Sequence, residues 1–383
     1  MRFVPLNCVK EGAYLGKNLH DSKGRILLKK GTLLTESLLD KIRESGFQSI
    51  YINDEYSDNE IEDLIKPELK VKAVGTIKET FDSISQSNRQ AKSKAKNLKD
   101  KHNLLLQEKY INSLNDISKH LVDNITSSKN VLVNLVDIKN MDSYTYEHSL
   151  SVTLLSLVLG IELRLNKNDL YNLCIGALLH DIGKAFIPKD ILLKKDKLTD
   201  EELSIVRDHT AKGYEYLKSN SYLTAPSRII AFQHHERLDG SGYPNGLKEG
   251  QINKLAKIVA IADVYDAFTS DRPYKKASPP HEALEYIMGA AGRYFDFDMV
   301  QAFVRKVIPY PVGTLVKLSN GAIALVEEIN PNFPLRPKVR IVQQLATSVK
   351  MEYIDLLKEN NLVIEGIQYE IPNPSVQHYL KNK

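Results

Sequence analysis

Imidazole and carboxylate groups sit at or beside the most apolar segments of this chain, and any fold must either pair them or bear the cost. His180 and Asp181 end the run Cys174-Ile175-Gly176-Ala177-Leu178-Leu179, and Asp263 follows directly on Ile258-Val259-Ala260-Ile261-Ala262. His148 lies in a helical stretch beginning near Ser143. His209 follows Arg207-Asp208, and His234 and His235 are adjacent, next to Glu236. Burying such groups unpaired costs at least a few kcal/mol each. Any one of them alone reads as a satisfied core or surface histidine. Five histidines and two aspartates together are harder to satisfy that way. If they converge they need positive charge between them, and metal ions supply it.

The donors limit the metal. Nitrogen and oxygen ligands without thiolate suit iron or manganese, with zinc as a further option, better than calcium. Two six-coordinate ions offer about 12 positions. Five histidine nitrogens, one Asp263 oxygen and a bridging Asp181 carboxylate leave about four positions. These suit a bridging hydroxide and one phosphate oxygen on each ion, which is the stoichiometry of a two-metal hydrolase.

Around the donors lie groups suited to an anionic substrate. In His180-Asp181-Ile182-Gly183-Lys184 the glycine would let the helix end and turn the Lys184 ammonium back toward developing phosphate charge. Asp239-Gly240-Ser241-Gly242-Tyr243-Pro244-Asn245-Gly246 reads as a loop at the rim of the site. Asp266 is three residues after Asp263, on the same helix face. Arg272 and Lys275 follow that helix and could hold a second phosphate or a guanine edge.

Four regions are expected along the chain. Residues 1–60 form a small α+β module, with a helix capped by Thr35 and ended by a left-handed Gly46. Residues 61–125 form a helical connector. Its apolar stripe (Ile77, Phe81, Ile84, then Ile111, Leu114, Ile117, Leu121, Ile125) packs on the main domain or on a second copy of the chain. Residues 126–308 are strongly helical and hold the chelating groups. Residues 309–383 turn β-rich: Thr314–Leu318 and Ala322–Ile329 flank a Ser319-Asn320-Gly321 hairpin signal, and Val339–Val342 follows a Pro-rich loop. The fold class is therefore mainly α, with small accessory modules at both ends.

Composition excludes several other classes. With 383 residues, 42% hydrophobic and a net charge of +4, the chain is long enough for two to four domains and too apolar for disorder throughout. Its most apolar run, Val152 to Ile161, is far shorter than the roughly 18–20 residues a bilayer needs, so no membrane span is expected. Asn7, Lys10 and Glu11 fall where a secretory signal would be apolar. Two cysteines, Cys8 and Cys174, make neither a disulfide framework nor a cysteine-rich zinc site, so a cytoplasmic protein with reduced thiols is expected. Six basic residues and one acid, Asp100, between Arg89 and Lys101 carry a local +5. Without interleaved aromatics they read as a solvated helix face or linker rather than a nucleic-acid site.

The chelating motifs resemble the HD-GYP family, the subgroup of HD-type metallohydrolases that degrades cyclic di-GMP. The resemblance rests on Tyr144-Thr145-Tyr146-Glu147-His148-Ser149, on HDIGK at 180–184, on HHERLDGSGYP at 234–244, on ADVYDAFTSDRPY at 262–274, and on Gly292 and Phe295-Asp296. It implies an all-helical catalytic domain over roughly 140–308 with cyclic di-GMP as substrate, opened to linear pGpG and onward to GMP. One metal would take His148, His180, Asp181 and Asp263; the other would take Asp181, His209, His234 and His235. Asp181 and Lys184 would be catalytic, with Lys184 polarising the phosphate. Gly242, Tyr243, Pro244, Asp266, Arg272 and Lys275 would lie on the substrate side, and the 239–246 loop could also receive a protein partner. Some members hold a third metal through a glutamate one turn before the first histidine. Tyr144 stands there, so two metals are expected, with Asp142 as the nearest looser ligand. Two other functions fit the same letters: a receptor that holds cyclic di-GMP without cutting it, and an HD hydrolase of another cyclic dinucleotide or guanosine polyphosphate.

Overall fold

The computed structural model describes residues 1–21, 25–47, 49–54, 64–91, 99–127, 144–194, 196–220, 222–270, 277–343 and 352–370; the side chains of 86–91, 99–108 and 144 fall outside the description. These residues form two compact units. One joins residues from 1–63 with those of 307–383, and the other takes those of 64–133 and 143–306.

In the first unit, β1 (Arg2–Pro5), β2 (Tyr14–Leu15), β3 (Leu19–His20), β4 (Ile26–Leu28), α1 (Glu36–Glu44) and β5 (Ser49–Asn53) follow in order. The antiparallel sheet β1-β5-β2 buries Val4, Leu15, Ile50 and Ile52 against Leu39 and Ile42 of α1. Gly46 has φ +85° and occupies the left-handed position expected of it. Thr35 precedes α1, but its hydroxyl makes no cap bond; its backbone carbonyl accepts from Leu38 and Leu39 instead. The two terminal modules share this unit. Arg2 pairs with Asp54 at 2.7 Å and donates to the Tyr369 carbonyl, while the Tyr369 ring packs on the N-terminal core.

The second unit is helical: α2 (Pro67–Ala91), α3 (Lys99–Ser127), α4 (Tyr144–Glu162), α5 (Lys167–Leu178), α6 (Lys189–Leu192), α7 (Asp200–Arg207), α8 (His209–Lys218), α9 (Ala225–Gln233), α10 (Lys254–Thr269), α11 (Pro280–Gly289) and α12 (Phe297–Lys306). The connector stripe is buried within the chain. Ile77, Phe81 and Ile84 of α2 and Ile111, Leu114, Ile117, Leu121 and Ile125 of α3 are all inaccessible, the two helices packing on each other and on α4 and α5. The side chains of the Lys-rich segment lie outside the described residues. Helices α4 and α10 are apolar nearly all round, which makes them core helices rather than surface ones. They pack against each other, and they bury His148 and Asp263 in the interior.

The C-terminal part of the first unit is a five-stranded antiparallel sheet of β6 (Leu315–Leu318), β7 (Ile323–Glu328), β8 (Lys338–Gln343), β9 (Tyr353–Asp355) and β10 (Ile364–Ile367), in the order β10-β6-β7-β8-β9. The expected hairpin is present, with Gly321 at φ +82°. Strands β9 and β10 are additional to the sequence reading. They are short edge strands, and β10 is interrupted by a register shift before Gly366. Among the described residues, no helix is long and apolar enough to cross a membrane.

Candidate metal centre

Helix ends place most of the donors. α5 stops at Leu178, and His180 and Asp181 occupy the turn before a short 3-10 segment, Ile182–Phe186. His209 opens α8 immediately beyond the end of α7, and His234 caps the C-terminus of α9. The last carbonyls of a helix have no partner within it. Here they take imidazole protons. His180 Nδ1 lies 2.7 Å from the Ala177 carbonyl and His209 Nδ1 2.7 Å from that of Val206. His234 Nδ1 lies 3.1 Å from the carbonyls of both Ile230 and Ala231. A carbonyl only accepts, so each Nδ1 donates and each Nε2 presents a lone pair to the interior. His148 of α4 is held differently, with Nδ1 2.7 Å from Asp266 Oδ2 on α10.

The donors converge into two groups. His148, His180 and Asp263 form one; Asp181, His209, His234 and His235 form the other, with ligand atoms within 4.8 Å of one another in each. Asp181 faces both. Its Oδ2 is 3.4 Å from His180 Nε2 and 3.7 Å from His148 Nε2, while Oδ1 is 3.3 Å from His209 Nε2 and 4.0 Å from His234 Nε2. Asp263 Oδ1 is 3.2 Å from His148 Nε2, and Oδ2 is 3.7 Å from His235 Nδ1.

A divalent cation fits this donor set. The lone pairs of His209 Nε2 and His234 Nε2 face each other at 3.5 Å, both rings having committed their protons elsewhere. Two acceptors repel at that range unless a cation or a proton lies between them. Protonation is disfavoured: burial pushes the His209 pKa down, and burial with neighbouring His180 and His209 pushes His234 down to about 3. Burial and His234 likewise hold His235 well below the usual imidazole range. His180 Nε2 and Asp181 Oδ1 are buried with no hydrogen-bond partner among the described residues. Burial alone would raise the Asp181 carboxyl, but Lys184, His180 and His209 hold it well below the usual carboxylate range. Burial is also opposed at Asp263, where His148 and His235 keep the carboxylate ionised. His148 is the exception among the imidazoles. Burial opposes its charge, but bonds to Asp263 and Asp266 raise it to about 9.

Several residues lie elsewhere than their spacing suggested. Asp266 is not on the substrate side. It is buried behind His148, accepting from its ring and from the Ser270 hydroxyl at 3.2 Å. Gly183 does not end a helix, since α5 has already stopped. A Cβ there would meet the His209 carbonyl at 1.8 Å, so glycine is required for the close approach of α8. Lys184 turns back as expected, and its ammonium bonds Asp181 Oδ2. Arg272, Lys275, Asp142 and the Tyr144 side chain lie outside the described residues.

The loop after the histidine pair folds back onto it. Tyr243 lies against the His235 ring, with centroids 4.6 Å apart and planes 26° apart, and donates its backbone N–H to the His235 carbonyl. Gly242 passes so close to Glu236 that a Cβ would meet its Cα at 2.4 Å. Pro244 is exposed. Glu236 had no assigned role in the sequence reading. Its buried carboxylate accepts the backbone N–H groups of Asn245 and Leu247, both at 2.8 Å, and pins the loop. The available signal was an acid placed between a chelating pair and a glycine-rich turn.

Residues 127–299 match the model of the HD domain, and residues 315–369 match that of a KOW domain associated with HD domains. A cyclic di-GMP phosphodiesterase of Pseudomonas aeruginosa, PA4108, is 42% identical over 58% of this chain and 54% of its own length. A cyclic di-GMP phosphodiesterase of Thermotoga maritima is 40% identical over 47% of this chain and 50% of its own. The chain thus spans about half the length of the curated relatives it matches. Among solved structures, Bd1817, an HDG"Y"P protein from Bdellovibrio bacteriovorus, shares the fold at 19% identity, with a TM-score of 0.50 over 79% of this chain and 97% of that one. The donors of both groups fall within the region, residues 127–299, that matches the HD-domain model.

Proposed function

We propose that this domain is a metal-dependent phosphodiesterase that opens cyclic di-GMP to linear pGpG, with GMP as the further product. The observation that carries this reading is the pair of donor groups joined through one carboxylate, Asp181, whose two oxygens face different imidazole sets. Under this reading His148, His180, Asp181 and Asp263 hold one divalent ion, and Asp181, His209, His234 and His235 hold a second. Nitrogen and oxygen donors favour iron or manganese, with zinc also compatible. Such ions, when bound, supply an activated water and neutralise phosphate charge.

The protein's own groups prepare that site. The Nδ1 bonds to helix-end carbonyls and to Asp266 fix ring orientation before any ligand arrives. Lys184 keeps an ammonium beside the bridging carboxylate, where it can neutralise charge on the scissile phosphate. Tyr243, flat on His235, walls the second group. Gly242, Pro244, Arg272 and Lys275 are assigned to the substrate side.

The test is product chromatography on anaerobically purified protein whose metal content is measured in parallel. The wild type is expected to yield pGpG, and His180→Ala and Asp181→Ala to lose turnover while remaining folded. Full activity in Asp181→Ala protein of verified metal content would overturn the mechanism. Intact dinucleotide after long incubation with manganese or iron would instead favour a receptor.

A further inference from the structure

We propose that Arg207 is a substrate-binding residue that holds the second, non-scissile phosphate of a cyclic dinucleotide, an inference that rests on the phosphodiesterase reading. Arg207 is the last residue of α7, two positions before His209. Its backbone is anchored by the Thr210 hydroxyl, which donates to the Arg207 carbonyl at 3.0 Å. Its guanidinium lies over the face of Tyr243, 5.1 Å from the ring centroid. The Tyr243 ring also stacks on His235, with centroids 4.6 Å apart. The phenol ring thus touches both a donor imidazole and an exposed cation, so the guanidinium is two ring contacts from the donor cluster.

Two arginines beside Tyr243 have no ion-pair partner among the described residues, and Arg237 lies over the Phe295 ring at 5.1 Å, which leaves Arg207 as the one on Tyr243. Among the described residues no carboxylate lies within ion-pairing range of Arg207, whereas Lys184 is engaged with Asp181 and Lys212 with Asp208. A helix-terminal arginine with a purely local role needs only water and the terminal carbonyls. This one is laid on a ring of the site wall. A cyclic dinucleotide carries two phosphodiesters in one small macrocycle. When one is at the donor cluster, ring closure keeps the other, with its full negative charge, at the mouth. The planar fork of a guanidinium matches phosphate oxygens, and stacking on Tyr243 pre-orients it, reducing the freedom lost on binding.

The experiment compares wild type, Arg207→Gln and Arg207→Lys, manganese-loaded and matched in metal content. kcat and KM are measured for cyclic di-GMP and for bis(p-nitrophenyl) phosphate, which has a single phosphodiester. Affinity for cyclic di-GMP is read separately by calorimetry. In Arg207→Gln, kcat/KM for the dinucleotide relative to the monoester-forming probe is expected to fall about tenfold, mainly through KM, with a matching loss of affinity. Arg207→Lys, which keeps the charge and loses the planar stack, is expected to recover part of it. An unchanged ratio, whether from no effect or from equal losses on both substrates, would overturn the proposal, since equal losses mean Arg207 only supports Tyr243. A ligand bound in an Arg207-dependent way yet never cut would sink the hydrolase reading and leave this assignment standing. A wild type that neither binds nor cuts it would overturn both.

Discussion

At the scale of single residues, four of the five imidazoles have Nδ1 held by a fixed acceptor. Three rings use helix-end carbonyls for this, and His148 uses Asp266. Removing a carboxylate that orients a metal ligand typically costs about 10- to 100-fold in metal affinity. Asp266→Asn is therefore expected to weaken metal binding at the His148 group, seen as a lower metal content after dialysis against a weak chelator; unchanged content would refute the orienting role. The sequence made Asp266 visible, three residues after Asp263, but not its direction. The same spacing puts a carboxylate on the substrate side or behind a ligand, and only the packing of α10 on α4 decided it. Cys174 offers a second residue-scale check. Burial pushes its thiol up to about 12 and leaves almost no thiolate near neutral pH. It should resist alkylation in the native protein and label only after unfolding, as peptide mass mapping would report.

At the scale of elements, close approaches matter more than propensities. The 3-10 segment that follows Asp181 passes so near the start of α8 that residue 183 has no room for a side chain. Gly183→Ala must push the His209 carbonyl away, and His209 is itself a donor. Overpacking of this kind costs roughly 1–3 kcal/mol or more. A lower melting temperature together with reduced metal content is expected; a variant with wild-type values for both would show that the contact yields freely. The glycine was legible as a break in the helical pattern, but its neighbour was not, because α8 lies more than twenty positions downstream. Glu236 is similar. Its type and place were plain, and its task became apparent only when Asn245 and Leu247 were seen to donate to it.

At the scale of the whole molecule, seven side chains able to hold metal are gathered from helices and turns spread between residues 148 and 263, at the expense of a buried centre with unpaired polar atoms among the described residues. A ligand that binds only the folded state stabilises it by mass action, by about 2.7 kcal/mol at 100 times its Kd. Metal-stripped protein is therefore expected to melt at a lower temperature and to regain stability on adding manganese, measurable by calorimetry; no shift would contradict a shared cation site. The connector shows the limit of periodicity at this scale. Its stripe was readable to the residue, but whether it faced this chain or another copy was not, and it is buried on α4 and α5. The letters alone specified the helical core and the β-rich ends and pointed to the seven candidate donors, because apolar periodicity and residue chemistry are local properties. Tertiary structure alone decided how the donors divide into two groups, which oxygen of Asp181 faces each, and that Asp266 and Glu236 stand behind the site as supports. Those facts depend on distances between residues remote along the chain, and such distances are set by packing.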